Sequence, residues 1–564
     1  MTETGPAHTL PQLTALHEAT ALLTSEGAPF EVVQEDVRGE TMGVLRNRAR
    51  SLREILVNSF EFGDRESMIF SDGRRVTFAG FEKDVASVAA WLQREHGIGH
   101  GDRVALCGAN SYGWIVSFWA CLSMGAITVA MNGWWTESEM QHAIDLTEPK
   151  LLLFDAKRAE RLSRDVSIPR FDLDEDLETM LTYAPDASIP ANHIDEDDPA
   201  ILIFTSGTTG RPKAAVLSHR SVVHYTTLQN FLGARGMVMA GRGPSDGPPP
   251  IRLVVFPLFH VSGLGATVNG LHTGSTGAWF LTRFEANDVI DFVIENKVNI
   301  IGGTGTHILR LLDSPRCADI PQQQIMSVGM GGSATTPEIM RRLANRFPHL
   351  DHTMSTGYGS TETGSLVSFA PNWMLEASPE CIGPAIPTCE VKITDDDGNE
   401  LPEGGEGNIC VRSPLLMTEY WRHPAANAEA FFPGRWFNTG DFGRIEGGCI
   451  YIASRKRDLI IRGGENIYPF EIENCIEELA GVVETAVIGV DHDILGQEVK
   501  AIIVIAPDTD ITDLDVHEHC KKSLSAYKIP AYVELRTERL PRNPSGKILK
   551  HVLADGSEAG FVEE

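Results

Sequence analysis

The chain has 564 residues, 42% of them hydrophobic and 22% charged, and a net charge of −29. That length exceeds what one core can organise and requires several structural units, while the acidity excludes nucleic acid and anionic membrane as main partners. Nine cysteines scattered from Cys107 to Cys520 with no C-x-x-C pair exclude a disulfide frame or a zinc site, and without a signal-like start or a membrane-length apolar run the sequence predicts a cytoplasmic protein with no stable membrane insertion.

Residues 1–50 are mostly polar, with scattered helical signals, and read as an N-terminal extension. Leu52, Ile55, Leu56 and Phe60 then follow helical spacing, and strand and helix patterns alternate. The short apolar runs 103–107, 127–130 and 151–154 predict strands, and 113–124 predicts a buried helix. Thr136-Glu137-Ser138-Glu139 predicts a capping box that opens a helix with Met140, Ala143 and Ile144 on one face. Such alternation implies a parallel sheet wrapped by helices. The acidic runs 172–178 and 195–198 read as solvated loops of a linker.

A compact apolar strand at 200–204 leads into Thr205-Ser206-Gly207-Thr208-Thr209-Gly210-Arg211-Pro212-Lys213. Gly207 and Gly210 let successive N–H groups turn inward, the hydroxyls of Thr205, Ser206, Thr208 and Thr209 add donors, and Lys213 adds charge. Taken alone, the loop reads equally as a phosphate cradle or an ordinary turn. It lacks the Gly-Lys-Ser/Thr of the Walker pattern. Residues 241–250, rich in Gly and Pro, predict an exposed irregular connection.

The α/β pattern resumes with strands at 253–256, 298–301 and 327–330, which implies a second parallel sheet. From about residue 382 the texture changes to short strands and turns such as Asp396-Asp397-Gly398-Asn399. After Arg457 comes a domain-sized segment with strands at 486–488 and 501–504 and helices of its own. The expected fold is α/β: a large N-terminal domain of two doubly wound parallel-type sheets plus a small β-rich subdomain, then a small α+β C-terminal domain.

Further motifs follow the threonine-rich loop in order: Pro257-Leu258-Phe259-His260; Gly331-Gly332-Ser333-Ala334; Gly357-Tyr358-Gly359-Ser360-Thr361-Glu362; Trp436-Phe437-Asn438-Thr439-Gly440-Asp441; Arg455-Lys456-Arg457-Asp458; Gly463-Gly464-Glu465-Asn466-Ile467-Tyr468-Pro469; and Pro541-Arg542-Asn543-Pro544-Ser545-Gly546-Lys547. The set resembles the adenylate-forming superfamily of acyl-CoA synthetases, aryl-CoA ligases, beetle luciferases and peptide-synthetase adenylation domains. The likeness runs from about residue 50 to 550, and the Gly-Gly-Glu-Asn-Ile-Tyr-Pro stretch is most similar to the acyl-CoA synthetase branch.

The resemblance implies an extension at 1–50, a large adenylation domain at 51–456 and a mobile C-terminal domain at 457–564. It implies an ATP-dependent acid–CoA ligase that makes acyl-AMP and pyrophosphate, then acyl-CoA and AMP. The substrates are a small carboxylic acid, ATP and CoA, with Mg²⁺ on Glu362 and Thr205; a homodimer is compatible with it. Lys547 bridges carboxylate and α-phosphate, and Thr361 bonds that phosphate. Tyr358 stacks on adenine, between Gly357 and Gly359, with Gly332 and Ser333 beside it. Asp441 holds the ribose hydroxyls, and Arg455 reaches the ribose or phosphate.

Arg457 is the implied hinge, where the family more often has Asp or Lys, and Gly463 and Gly464 form the CoA channel. Ala214 stands where the family usually has Gly. Read alone, Glu362 is first a helix N-terminal carboxylate and Tyr358 a core residue. His260 is either the junction of acyl pocket and thiol channel or a structural histidine. Lys456, Arg462 and Lys550 read as CoA phosphate contacts or as plain surface charge.

No Asp near Phe259 and His260 is available to hold an amine, which disfavours amino acids. A fatty acyl-AMP ligase that hands its product to a carrier protein stays open. An acyl pocket along 257–271, 302–310 and 329–334, with Leu264, Gly265, Val268, Gly302, Gly303 and Met330, predicts an apolar tail.

Overall fold

The computed structural model describes residues 6–162, 166–205, 212–243, 247–330, 337–455, 458–462, 465–492, 494–507, 509–542 and 548–555. Two open sheets form the body. In the six-stranded sheet, Ile127–Ala130, Arg103–Cys107, Leu151–Phe154 and Arg170–Asp172 run parallel beside Pro199–Thr205, and Lys213–Ser218 closes one edge antiparallel. Apart from Arg170–Asp172 at one edge, these strands are mostly apolar, as strands covered on both faces must be. The helix Tyr112–Ser123, buried at every position, packs between the layers. The predicted capping box at Thr136 and Glu139 is present.

The eight-stranded sheet is parallel across Glu66–Phe70, Thr276–Trp279, Ile251–Val254, Ile300–Gly303, Ser327–Met330 and Ser355–Tyr358, with an antiparallel strand at each edge. Two of its strands lie about two residues from where the sequence places them: 251–254 rather than 253–256, and 300–303 rather than 298–301. Pro257 removes a ladder donor and ends the first early. The glycines at 302 and 303, poor strand formers by propensity, are held in the second by pairing with Gly329 and Met330.

From Cys381 the chain forms an antiparallel sheet that includes Gly407–Arg412, Trp436–Glu446 and Cys449–Arg455. The C-terminal unit has its own sheet, with the long hairpin Val482–His492 and Gly496–Ile505, backed by helices Pro469–Glu477 and Asp513–Cys520. It touches the β-rich unit through Tyr468, whose ring stacks 6.2 Å from Phe442 and whose hydroxyl donates to Glu406 at 2.8 Å.

The acidic run 195–198 is not a solvated loop. Arg48, its side chain fully buried, pairs with Glu196 at 2.9 Å and Glu35 at 2.7 Å. Arg220 pairs with Glu196 and Asp197, each at 2.7 Å. The cluster clamps the hairpin Val32–Val37 and Glu40–Leu45 onto the start of the helix His219–Met239. The segment read as an extension also supplies the helix Pro11–Thr24, which packs on that same long helix, and Ala7, which is buried beside Tyr451. Charge density alone does not reveal burial, because Glu196 and Asp197 are matched by arginines from other elements. Among the described residues, no helix is long and apolar enough to cross a membrane.

Candidate active site

The chemistry-bearing residues gather where the two large sheets meet the β-rich unit. Thr205 ends its strand directly opposite Lys213 in the antiparallel register, so the threonine-rich loop between them is closed at its base by a strand pair. The Lys213 ammonium lies 5.2 Å from the centre of the Tyr420 ring, and the Tyr420 hydroxyl donates to Glu362 at 3.1 Å. Burial, together with the Glu362 charge, pushes the Tyr420 pKa up, so the phenol stays a donor. Tyr420 itself is fixed by its segment, since Trp421 N–H bonds Ala214 O at 2.8 Å and Thr418 N–H bonds Val216 O at 2.9 Å. The motif reading missed Tyr420; nothing in its immediate sequence marks it, because its role arises from a strand-like pairing about 200 residues away in the chain.

Thr361 and Glu362 stand on a tight turn after the strand Ser355–Tyr358. Ser360 N–H bonds the Thr363 hydroxyl at 2.7 Å, Thr363 N–H bonds the Ser360 hydroxyl at 3.3 Å, and Val367 N–H returns to Tyr358 O at 2.7 Å. Only glycine fits at 359, where a Cβ would collide with the Ser365 carbonyl. Glu362 is therefore a turn residue rather than a helix-start carboxylate, and Met417 N–H holds its backbone carbonyl at 2.9 Å. Glu362 and Thr205 both offer oxygen donors, which fit Mg²⁺ by chemistry.

Tyr358 and Asp441, 83 residues apart, meet: the phenol donates to Asp441 Oδ2 at 2.6 Å. Asp441 is buried, with its N–H on the Thr439 hydroxyl at 3.1 Å, and Arg455 lies opposite it in the register. A stacking ring tied to a carboxylate suits a nucleoside, the ring for the base and the carboxylate for vicinal hydroxyls. Asp441→Ala is expected to raise the KM for ATP about tenfold, the worth of one charge-assisted hydrogen bond, measured by steady-state kinetics at saturating acid.

His260 caps the helix Val261–Thr273. Its ring lies 4.5 Å from Phe259, and its Nε2 is buried with no hydrogen-bond partner among the described residues. Burial pushes its pKa down to about 4, so the imidazole is neutral near pH 7. An orphaned ring nitrogen costs free energy unless something visits it.

Ser206, Gly207, Thr208, Thr209, Gly210, Gly332, Ser333, Lys456, Arg457, Gly463, Gly464 and Lys547 lie outside the described residues, as does the side chain of Arg455. Arg462 and Lys550 are engaged within the C-terminal unit, with Glu498 at 2.5 Å and Glu473 at 2.6 Å. The expected pocket lining is corrected in part. Met330 and Ile301 pack on the face covered by helices Ala286–Glu295 and Gly305–Asp313, and strand alternation puts Gly303 with them. Gly302 and Gly329 lie on the opposite face.

These features suit an enzyme that binds a nucleotide, and the comparisons agree. The AMP-binding enzyme family matches residues 57–421 and its C-terminal domain matches residues 471–547. Relatives include the long-chain-fatty-acid–CoA ligase FadD13 of Mycobacterium tuberculosis, 32% identical over 85% of this chain and 93% of its own. The fatty acid–[acyl-carrier-protein] ligase ScoC of Streptomyces coeruleorubidus is 29% identical over 86% and 92%. The medium-chain acyl-CoA ligase ACSF2 of Danio rerio is 30% identical over 88% and 86%. ATP-bound MatB from Rhodopseudomonas palustris superposes with a TM-score of 0.78 at 27% identity, covering 90% of this chain and 99% of that one. The chain belongs to the adenylate-forming AMP-binding enzyme family, in its acyl-CoA synthetase branch. It is an ATP-dependent, adenylate-forming acyl-CoA ligase.

Proposed function

We propose that the acid has an apolar body, as a fatty acid does, and that CoA rather than a carrier protein accepts the acyl group. One observation carries the reading: Thr205, Lys213 and Glu362 are drawn together by Tyr420 beside an open face of small residues on the eight-stranded sheet. The names of FadD13 and ACSF2 support a fatty acid, and the name of ScoC keeps the carrier protein as the alternative.

In the first step a carboxylate oxygen attacks the α-phosphorus of ATP; the new O–P bond forms as pyrophosphate leaves. Lys213 and the N–H groups of the threonine-rich loop bind the phosphates, Tyr358 and Asp441 orient the nucleoside, and Thr361 bonds the α-phosphate. Glu362 and Thr205 would hold Mg²⁺, which supplies charge neutralisation when bound. Lys547 bridges the two reacting anions. The C-terminal unit then turns about Arg457, bringing Gly463 and Gly464 to the site, where their small size admits the pantetheine arm. The CoA thiol attacks the acyl carbonyl, losing its proton, and AMP leaves. His260, neutral and with a free ring nitrogen, lies at the junction of the two routes.

The test is a panel of acids assayed by pyrophosphate release, with and without CoA. Apolar acids are expected to be consumed, and CoA to convert acyl-AMP fully to thioester. Acyl-AMP that accumulates despite CoA would establish the carrier-protein alternative. Gly464→Leu, by filling the thiol channel, is expected to slow thioester formation about tenfold and leave pyrophosphate release intact; an unchanged thioester rate removes Gly464 from that channel.

A further inference from the structure

The eight-stranded sheet has two unlike faces. One is sealed by helices through Leu253, Ile301, Val328 and Met330. On the other, the register sets Gly302, Gly329 and Ser355 side by side, and one step toward the strand starts it sets Arg252, Ile300 and Ser327 in a row. A Cβ at Gly329 would meet nothing within 4 Å, and one at Gly302 only the Leu253 carbonyl at 3.5 Å and the Phe256 ring at 3.8 Å. Two glycines on neighbouring strands thus leave a trough in the sheet. It begins at the strand ends that carry Gly357 and lead toward His260, and it descends to the row of Arg252.

Arg252 is the anomaly in that row. The residue is partly buried and its Nε is fully occluded, yet among the described residues no acceptor, carboxylate or aromatic ring meets its guanidinium. Burial alone pushes its pKa down, with no carboxylate to offset it. The contrast with Arg48 and Arg220 is direct, since each of those holds two carboxylates. A guanidinium carries five donors and no acceptor. An occluded Nε–H without an acceptor costs free energy, a cost that ligand binding can offset.

We propose that Arg252 is a specificity determinant of the acyl site, and that the favoured acid carries a carboxylate or similar oxygen anion at the far end of its apolar body. This rests on the acid–CoA ligase reading above. The trough descends about four residues of strand from the level of Gly357 to that of Arg252, about 13 Å. Shortened by the reach of the arginine, that suits a body of roughly six to ten carbons. The plain apolar tail expected from Leu264, Val268 and Met330 overlooks Arg252, because a strand arginine carries no motif.

The test compares a plain medium-chain acid with its ω-carboxy counterpart of equal length, by ATP–pyrophosphate exchange, in wild type, Arg252→Met and Arg252→Lys. Wild type is expected to favour the ω-carboxy acid by tenfold or more in kcat/KM. Arg252→Met is expected to lose about 10²-fold on it, through KM, and almost nothing on the plain acid. Arg252→Lys keeps the charge without the fork and should fall between. The melting temperature of Arg252→Met should hold or rise, because an occluded N–H without an acceptor is removed. Equal selectivity in wild type and Arg252→Met overturns the proposal, as does a fall in plain-acid activity that tracks a lowered melting temperature. If neither acid drives exchange in wild type while another acid does, the inferred acid is wrong and the proposal falls.

Discussion

Replacing Lys547 by alanine is expected to lower acyl-AMP formation by about 10³-fold, while supplied acyl-AMP is still converted to thioester at the wild-type rate. The asymmetry follows from charge. The first step brings a carboxylate against a phosphate, and two unit charges at about 4 Å repel by roughly 4 kcal/mol at a surface-like dielectric. A cation between them removes that barrier, and no side chain other than Lys547 is assigned to that position; Lys213 is engaged over Tyr420 at the phosphate loop. The second step is attack of a thiol on an already activated carbonyl, with AMP as the leaving group, and needs no such bridge. Pyrophosphate exchange reads the first step and thioester formation from acyl-AMP reads the second. Equal loss in both would mean that Lys547 stays at the site throughout, and the rotation about Arg457 would fall.

What was legible in the sequence divides by the range of the interactions. Strands at Arg103–Cys107, Ile127–Ala130, Leu151–Phe154 and Ser327–Met330 read directly, because a buried parallel strand needs a short apolar run and little else. The capping box at Thr136 read directly for the same reason, being complete within four residues. The motif residues Thr205, Tyr358, Glu362 and Asp441 were legible from a recurring order of loops. Their pairings were not. Tyr358 with Asp441, and Glu362 with Lys213 through Tyr420, depend on strand register between distant segments. Register also decides which of two adjacent glycines faces the helices, and so Gly303 and Met330 lie on the helix-covered face while Gly302 and Gly329 lie on the other. The acidic run at 195–198 misled because its partners Arg48 and Arg220 are remote in sequence.

Glu484→Gln is expected to lower acyl-AMP formation by about 10²-fold and leave thioester formation unchanged. The residue is buried in the C-terminal unit, where its carboxylate takes the Leu540 N–H at 2.9 Å and pairs with Arg542. Arg542 lies opposite Ile548 in an antiparallel bridge, and Leu549 N–H bonds Pro541 O at 2.8 Å, so the two ends of the segment that carries Lys547 are tied together. Glu473 secures the outgoing end through Lys550 at 2.6 Å while its Oε1 also takes the Val487 N–H at 2.7 Å. Beside them Glu477 is pushed up to about 8, first by burial and then by the charge of Glu473, so near neutral pH the protonated Glu477 adds no third charge to this pair. An amide at 484 keeps an acceptor for Leu540 but forfeits the charge that holds Arg542, and one lost charge-assisted bond is worth about 1.5–3 kcal/mol. Glu484 is a positioning residue, acting through the segment it anchors. A merely structural role would depress both half-reactions together and lower the melting temperature in proportion. A positioning role spares the thioester step, because the proposed second stage has the glycines at 463 and 464, not Lys547, facing the acyl-AMP.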